Sequence, residues 1–433
     1  MSSAAHWRAV LAEVDQAGLC SHPIRLRGLV LDRKTGELAA RDLLVPCKDR
    51  RSSVCPACSR LYQADAWQLV AAGLRGGKGV DPAVLGHPQL FVTLTAPSFG
   101  PVHSRRLNGD RILPCRPRRN VGSCPHGRSL SCLERHGEGA LILGDPLCGS
   151  CFDHRGAVLW NAHVPRLWER TSLRLYREVA RAAGLSSAQL RARVRLSYLK
   201  VVEFQRRGLV HLHVVLRADG ANGSADAPPP WLGAATLNAA VRDAVVGASV
   251  AMPGTLGVNI VRARWGEQID VRILENSEPD EAVAIAAYVA KYATKTADGT
   301  AWLAHPIRSA AQIERLELRD HVVELVRTAW RLGARKELAH LGLRAHAHAL
   351  GYGGQFSSKS ARFSTTFKAL RAARVAFARG DGVDEIDYDG EWRFSGRGYL
   401  DPLASELAHL LSEASRGGRR RVPEAVPISA RAR

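Results

Sequence analysis

Several features that would place a chain in other protein classes are missing from this sequence. No stretch approaches the roughly 18 consecutive apolar residues of a membrane span, and residues 1–8 lack the charged start and apolar core of a secretory signal. The Gly-rich residues 75–79 do not form a phosphate-binding loop, because Ala72 stands where that motif requires Gly and Lys78 is followed by Gly. These absences predict a cytoplasmic protein without an ATPase motor of its own.

Acidic side chains are scarce relative to basic ones. The chain has 61 Lys and Arg against 41 Asp and Glu, a formal net charge of +20 and a pI near 10.1. Such an excess favours a polyanionic partner, because each neutralised phosphate releases a condensed counterion. Apolar residues make up 46% of the 433 residues, enough for two or three folded cores. Composition alone leaves nucleic acid binding and an incidentally basic surface equally open.

Hydrophobic periodicity predicts strands and helices along most of the chain. Strands are predicted at residues 89–96, 194–205, 209–217, 257–264 and 268–274, with a strand pair within residues 24–45. Helices are predicted at residues 62–74, 165–183, 231–249 and 279–296, with further helices to about residue 378. Residues 219–230 are expected to be a linker, and the basic tail from residue 416 is expected to be disordered.

Residues 197–216 carry the most informative pattern. Two apolar runs flank an Arg-Arg-Gly sequence that ends at Gly208, which fits a three-residue hairpin loop with glycine in the left-handed conformation. That loop pairs Glu203 with His211, and because side chains alternate along a strand, both project from one face together with His213. The alternate residues are expected to fill the other face: Val202, Phe204, Val210, Leu212, Val214 and Leu216.

Two imidazoles and a carboxylate on one face suit a divalent cation with coordination positions left open for a substrate. The sequence therefore predicts a metal site at Glu203, His211 and His213. Two ordinary histidines on a half-solvated strand are the alternative explanation.

A second pattern is a tyrosine pair in the predicted helix. Tyr288 and Tyr292 are four residues apart, hence on one face, and each is followed three residues later by a lysine, Lys291 or Lys295. A tyrosine that attacks a phosphodiester needs its phenolate favoured and the phosphate charge offset, which nearby cations provide. Two tyrosines lining a helix–sheet interface would explain the pattern in isolation; beside the hairpin, catalysis is the better explanation.

Cysteines concentrate at residues 47–58 and 115–151, where two Cys-x-x-Cys pairs have the spacing of zinc knuckles. The predicted zinc ligands are Cys47, Cys55, Cys58, Cys124, Cys132, Cys148 and Cys151, with Cys115, His126 and His136 as further candidates. Cys20 is explained as a buried structural cysteine, and Cys115 has the same alternative. The eight remaining cysteines allow two four-ligand sites, or one site and spare thiols. The second zone is expected to be an insertion into the catalytic region that shapes the DNA-binding surface.

Residues 357–374 mix basic and hydroxyl side chains with two phenylalanines. Basic and hydroxyl groups suit phosphate contacts, and aromatic rings can stack on unpaired bases. The predicted DNA contacts are Arg206, Arg207, Lys359, Arg362, Lys368 and Arg371. A solvated basic helix with Phe363 and Phe367 in the core is an equally good explanation.

Three ordered segments, residues 91–95, 211–213 and 288–295, resemble the motifs of rolling-circle replication initiators of the HUH endonuclease superfamily. Residues 91–103, 156–163, 203–208 and 363–371 more narrowly resemble replication initiators of actinobacterial plasmids and integrative elements. The resemblance runs from about residue 47 to residue 374, and the order and spacing of the motifs are specific.

The resemblance implies an α+β fold whose HUH-type five-stranded antiparallel sheet, flanked by helices, has the two histidines on a central strand. A cysteine-rich zinc module and a helical C-terminal region complete the expected fold. The expected divisions are residues 1–88, a nicking domain at 89–300 interrupted at about 110–155, a basic DNA-binding region at 301–415, and the tail at 416–433.

The same resemblance implies Mg²⁺ or Mn²⁺, nicking of one strand at a replication origin, and a 5′-phosphotyrosine. The freed 3′-hydroxyl would prime synthesis, with a host helicase and polymerase as partners. Two alternatives stay open: an HUH transposase or relaxase with the same chemistry, and a zinc-dependent DNA-binding regulator without catalysis.

Overall fold

The computed structural model describes residues 4–32, 38–118, 122–253, 260–274, 279–295, 305–379 and 388–417. Its strands are β1 (Ile24–Asp32), β2 (Leu38–Val45), β3 (Gln89–Leu94), β4 (Arg106–Asn108), β5 (Arg111–Leu113), β6 (Val194–Phe204), β7 (Val210–Gly220), β8 (Val250–Pro253), β9 (Ile260–Ala263), β10 (Ile269–Ile273), β11 (Ser357–Lys359) and β12 (Tyr388–Arg397). Its helices are α1 (Ala4–Gln16), α2 (Pro56–Arg75), α3 (His154–Ala182), α4 (Ser187–Arg191), α5 (Ala234–Gly247), α6 (Pro279–Lys295), α7 (Ala310–Glu314), α8 (Asp320–Leu332), α9 (Phe367–Arg379) and α10 (Pro402–Gly417). None of the helices in these ranges is long and apolar enough to cross a membrane.

The chain divides into two compact units that are each assembled from segments distant in sequence. The first unit comprises Met1–Val70, Ala286–Asp298 and Thr365–Ala425. The second comprises Ala71–Ile285, Gly299–Ser364 and Val426–Arg433. The second unit therefore holds the predicted hairpin and the predicted cysteine-rich insertion in one body, and the region from residue 301 contributes to both units.

A five-stranded antiparallel sheet organises the second unit, in the order β10-β3-β7-β6-β11. The predicted α+β class and five-stranded antiparallel sheet are confirmed, and both histidines lie on β7, the central strand. The β6–β7 loop is closed by the Gly208 N–H, which donates to the Gln205 carbonyl at 2.8 Å. Gly208 has φ +77°, the left-handed conformation that glycine adopts without steric cost. The predicted pairing of Glu203 with His211 is also confirmed.

One face of this sheet is covered by helices α3, α5 and α8, which pack with it in a single hydrophobic core. The six strand residues predicted for the buried face all belong to this core: Val202, Phe204, Val210, Leu212, Val214 and Leu216. Because successive side chains of a strand alternate between faces, the residues between them, including both histidines, occupy the opposite face. The core thereby fixes the side of the sheet on which the predicted metal ligands lie.

The predicted start of the third helix at Pro165 is wrong. Helix α3 begins at His154, where the carboxylate of Asp153 accepts a hydrogen bond from the Gly156 N–H at 2.7 Å and caps the helix. Proline favours the first turn of a helix, which explains the prediction, but Pro165 lies inside α3.

The C-terminal region, predicted to be helical, contains four helices and also two strands, β11 and β12. β11 pairs with β6 at the edge of the main sheet, and β12 pairs with β1. β11 is only three residues long, too short to show a strand period in the sequence. The predicted strand 257–264 is seen as β9, which pairs with β8 in a separate ribbon; residues 257–259 lie outside the described residues.

A smaller antiparallel sheet, in the order β12-β1-β2, organises the first unit. It confirms the strand pair predicted within residues 24–45. Helices α1 and α10 pack together through Val10, Val14, Ala404 and Ala408. Helices α2 and α9 are joined by a stack of Tyr62 on Phe367 with ring centroids 5.0 Å apart.

Candidate functional site

The hairpin brings its three predicted metal ligands together on one face. Nε2 of His213 lies 3.4 Å from a carboxylate oxygen of Glu203, and the ring centroids of His211 and His213 are 4.6 Å apart at an interplanar angle of 80°. The His213 ring is 2% exposed in side-chain area, and it stacks parallel to Phe91 at 5.8 Å. Oγ1 of Thr93 lies 3.3 Å from its Nδ1. Strand β3 therefore orients His213 from one side while β6 supplies the carboxylate from the other.

The environment of His211 keeps its imidazole neutral. Burial, followed by the adjacent His213 and the positive charge of Arg207, lowers the pKa of His211 to about 3. A neutral imidazole is the form that ligates a metal. The set of two imidazoles and one carboxylate thus fits a divalent cation, and the 26% exposure of the Glu203 side chain leaves one side open to a substrate. The three side chains are more loosely spaced than the Cys and His groups described below.

A second carboxylate on this face was not predicted from the sequence. Asp270 of β10 lies directly opposite Thr93, which in turn lies opposite His213. Opposed residues of an antiparallel pair share a face, so Asp270 stands on the histidine side of the sheet, and it is exposed. Residues 93 and 270 are far apart in sequence, and their pairing has no local signal.

The predicted tyrosine helix is confirmed as α6, Pro279–Lys295. Tyr288 is half-buried and Lys291 is exposed, and both belong to the first unit. The side chains of Tyr292 and Lys295 lie outside the described residues. The role of this helix in catalysis stays a prediction.

The cysteines form three groups, each with four Cys or His ligand atoms within 4.8 Å of one another. The N-terminal group is Cys20, Cys47, Cys55 and Cys58. The middle group is His103, Cys115, Cys132 and His136. The third group is Cys124, His126, Cys148 and Cys151. The donor set of each group fits tetrahedral zinc.

These groupings correct the sequence analysis at several positions. Cys20 is not an isolated structural cysteine, because its Sγ lies 3.8 Å from that of Cys55. Cys115 likewise belongs to a group, its Sγ 3.9 Å from Nδ1 of His103, a histidine that the sequence analysis missed. The two Cys-x-x-Cys pairs belong to different groups. Ligands as far apart as residues 20 and 55 cannot be matched by spacing alone.

Hydrogen bonds within the N-terminal group favour a thiolate. Contacts with Cys20, Cys47 and Cys58 lower the pKa of the Cys55 thiol well below its usual range. In the middle group, Nδ1 of His103 is 3.2 Å from Nε2 of His136. In the third group, Nδ1 of His126 is 3.3 Å from Sγ of Cys151. Each of the three groups could therefore hold a metal ion.

The second cysteine zone, residues 115–151, is anchored to the hairpin loop. The Arg206 guanidinium donates to the carbonyls of Glu138 and Ala140 at 2.8 and 3.2 Å, and Arg319 contacts both Asp145 and the Arg206 carbonyl. This zone thus supports the turn between β6 and β7, and β7 is the strand that bears both histidines.

Arg207 also forms hydrogen bonds within the protein. It donates to the carbonyls of Ala96 and Pro97 at 2.9 and 3.1 Å, and burial lowers its pKa to about 10, so it keeps its charge at neutral pH. The DNA contacts predicted for Arg206 and Arg207 stay a prediction.

The other predicted DNA contacts are divided between the two units. In the second unit, Lys359 donates to the Ser364 carbonyl at 2.8 Å, and Arg362 is exposed. In the first unit, Lys368 and Arg371 are exposed on α9. Their predicted phosphate contacts stay a prediction.

A buried charge cluster closes the far end of β7. The Arg217 guanidinium donates to both carboxylate oxygens of Asp219 at 2.6 and 3.0 Å, and Ser197 donates to the same carboxylate at 2.8 Å. Nδ1 of His87 lies 2.8 Å from it. Burial would raise the pKa of Asp219, but the hydrogen bonds from His87, Arg217 and Ser197 lower it below its usual range. This cluster was not predicted from the sequence.

Two comparisons with known proteins point to one family. The family model RepSA, described as "Replication initiator protein, pSAM2", matches residues 6–413. A "Replication initiator protein" of Streptomyces ambofaciens is 37% identical over 443 residues, covering 96% of this chain and 92% of that protein. No solved structure matches the chain.

Proposed function

The chain belongs to the RepSA family of replication initiator proteins, and on that premise we propose that it nicks one DNA strand at a replication origin through a tyrosine. The observation that carries the proposal is the register of β6 and β7, which sets Glu203 opposite His211 and places His213 on the same face. Family membership favours an initiator over a transposase or relaxase with the same chemistry.

Glu203, His211 and His213 would hold Mg²⁺ or Mn²⁺, an HUH-type arrangement. Bound there, the cation would polarise the scissile phosphate. The chain's own contribution is the hydroxyl of Tyr288 or Tyr292, which would attack the phosphorus in line. The new bond joins the tyrosine oxygen to phosphorus, the bond to the 3′-oxygen breaks, and the tyrosine proton leaves to solvent while the 3′-oxygen is protonated. Lys291 and Lys295 would offset the phosphate charge.

We propose further that the three Cys and His groups hold structural zinc. The freed 3′-hydroxyl would be extended by a host polymerase. A host helicase would unwind the strand, because the sequence lacks an ATPase loop.

Replacement of a hairpin histidine tests the proposed metal site. His211→Ala should lower Mg²⁺- or Mn²⁺-dependent nicking of a supercoiled origin plasmid by roughly 10²- to 10³-fold, since it removes a ligand of the cation, whose Lewis acidity would contribute several kcal/mol of charge stabilisation. The matched control is His346→Ala, from the chain's other His-x-His sequence, which should nick normally. Full activity of His211→Ala would contradict the proposed site.

The zinc content of the purified chain tests the three groups. We expect about three zinc ions per chain, one for each four-ligand group. Cys58→Ser and Cys132→Ser should each remove about one ion and leave the other two sites loaded, so each variant is the control for the other. Elemental analysis of the reduced protein gives the ratio. An unchanged zinc content in Cys132→Ser would show that the middle group does not bind zinc.

A further inference from the structure

The three-stranded sheet of the first unit carries two aromatic side chains on an open face. Trp392 and Phe394 lie two residues apart on β12, so both side chains project from the same side. Trp392 is 40% exposed and Phe394 is 66% exposed, although large aromatic side chains normally contribute strongly to cores. The described part of the chain therefore leaves two neighbouring rings accessible on one sheet.

The strand beneath the rings is shaped to receive the indole. Gly28 of β1 pairs with Trp392, and a Cβ atom at position 28 would come within 3.2 Å of the indole and 2.5 Å of the Glu391 carbonyl oxygen. Only glycine permits this close approach, so Trp392 lies against the backbone of β1. Leu26, opposite Phe394, continues the apolar floor.

Positive charge frames the same face. Arg41 of β2 pairs with Gly28, and a register shift in β12 places Arg397 opposite Ile24, so both arginines lie on the aromatic side. Both are exposed. Among the described residues neither of them forms an ion pair.

On the opposite face, two of the three arginines are paired with carboxylates instead. There Arg27 pairs with Asp42 at 2.8 Å and Arg393 with Glu391 at 3.6 Å. The described side chains of the aromatic face thus carry two positive charges, Arg41 and Arg397, which a polyanion complements.

We infer that this face, Trp392, Phe394, Arg41 and Arg397, binds single-stranded DNA by stacking unpaired bases on its two rings. The rings supply flat surfaces for bases, and the arginines are placed to contact the phosphates between them. Bases within a duplex are already stacked on one another and cannot reach such a platform. The choice of single-stranded DNA rests on the proposed function, since nicking and unwinding an origin produces unpaired strand.

Binding is measured on the full chain in the Tyr288→Phe/Tyr292→Phe background, so that cleavage cannot interfere. The probes are a labelled oligothymidine of about 20 nucleotides and a duplex of equal length, followed by fluorescence anisotropy. Trp392→Ala/Phe394→Ala should weaken oligothymidine binding at least about 10-fold, because stacking contributes about 1–3 kcal/mol per base, and should leave duplex binding within about 2-fold.

Two variants separate stacking from general surface effects. Trp392→Phe/Phe394→Tyr keeps the rings and should bind oligothymidine within about 3-fold of the parent chain. Phe377→Ala removes a ring that is 90% exposed on α9 and should bind normally. Arg41→Ala should reduce the slope of log binding constant against log salt by about 0.7. Equal melting temperatures would show that the variants are folded.

Unchanged oligothymidine binding by the double alanine variant would overturn the inference. Equal weakening of single-stranded and duplex binding would overturn it too. As a second measurement, photocrosslinking of bromouracil-substituted single strands should label Trp392 or Phe394; labelling only elsewhere contradicts the platform. Absence of nicking would defeat the proposed function but leave these binding measurements intact, so the two failures are distinguishable.

Discussion

Replacing both Tyr288 and Tyr292 with phenylalanine should abolish nicking and remove the covalent protein–DNA adduct. The phenolic oxygen is the proposed nucleophile, and phenylalanine keeps the ring, so helix α6 retains its packing while the reacting atom is lost. We expect a loss of at least about 10³-fold in the rate of nicking. The measurement is conversion of supercoiled origin plasmid to open circles with Mn²⁺ or Mg²⁺, with adducts resolved on denaturing gels.

The single variants assign the two tyrosines. If one tyrosine cuts and the other ends the replication round, only one single variant should lose the first adduct. The matched control is Tyr62→Phe, in α2, which should nick normally. An adduct that persists in the double variant would place the nucleophile elsewhere. A wild-type chain that binds its origin without ever cutting it would support the zinc-dependent regulator instead.

Replacing Asp219 with asparagine should destabilise the second unit by about 3–5 kcal/mol, because it leaves the buried guanidinium of Arg217 without its counter-charge. Both side chains are fully buried, and the carboxylate accepts two hydrogen bonds from the guanidinium. Denaturant unfolding followed by circular dichroism gives the free energy of unfolding. The double variant Arg217→Met/Asp219→Asn should recover more than half of the loss, since no charge is then buried unpaired.

The exposed pair of Arg27 and Asp42 provides the control for that prediction. Nη2 of Arg27 lies 2.8 Å from a carboxylate oxygen of Asp42, but both side chains are exposed to solvent. Asp42→Asn should therefore leave the free energy of unfolding unchanged within error. If Asp219→Asn also unfolds like the wild type, the buried cluster does not contribute to stability.

The same carboxylate predicts how stability depends on pH. The pKa of Asp219 is lower in the folded chain than in the unfolded chain, where it is about 3.9. Its contribution is therefore fully present above the unfolded pKa and is lost as the pH falls through the folded pKa. The difference in unfolding free energy between wild type and Asp219→Asn should be constant near neutral pH and shrink below about pH 4. Taking the difference removes the acid lability of the proposed zinc ligands, which both chains share.

Local patterns were sufficient for the hairpin and for the tyrosine helix. A three-residue turn ending in Gly208 sets the register of the two strands it joins, and the two-residue period then decides which face each side chain takes. Glu203 opposite His211 follows from those two facts. The helical spacing of Tyr288 and Tyr292 is equally local, and α6, Pro279–Lys295, lies within the predicted helix 279–296.

The groups of cysteines and histidines and the buried charge cluster were decided by the tertiary structure. Cys20 belongs to the same group as Cys55, although the two are far apart in sequence. His103 likewise belongs to the group of Cys115. Asp219, on β7, contacts His87, in the loop before β3, and no local pattern in the sequence indicates this contact.

The sequence by itself thus determined the hairpin register, the faces of its strands and the helical spacing of the tyrosines. The tertiary structure alone decided which cysteines and histidines meet, and that an open aromatic face forms where β12 pairs with β1. The physical reason is that turn geometry and side-chain periodicity act between near neighbours. Contacts between distant residues depend on how whole elements pack, which no short segment specifies.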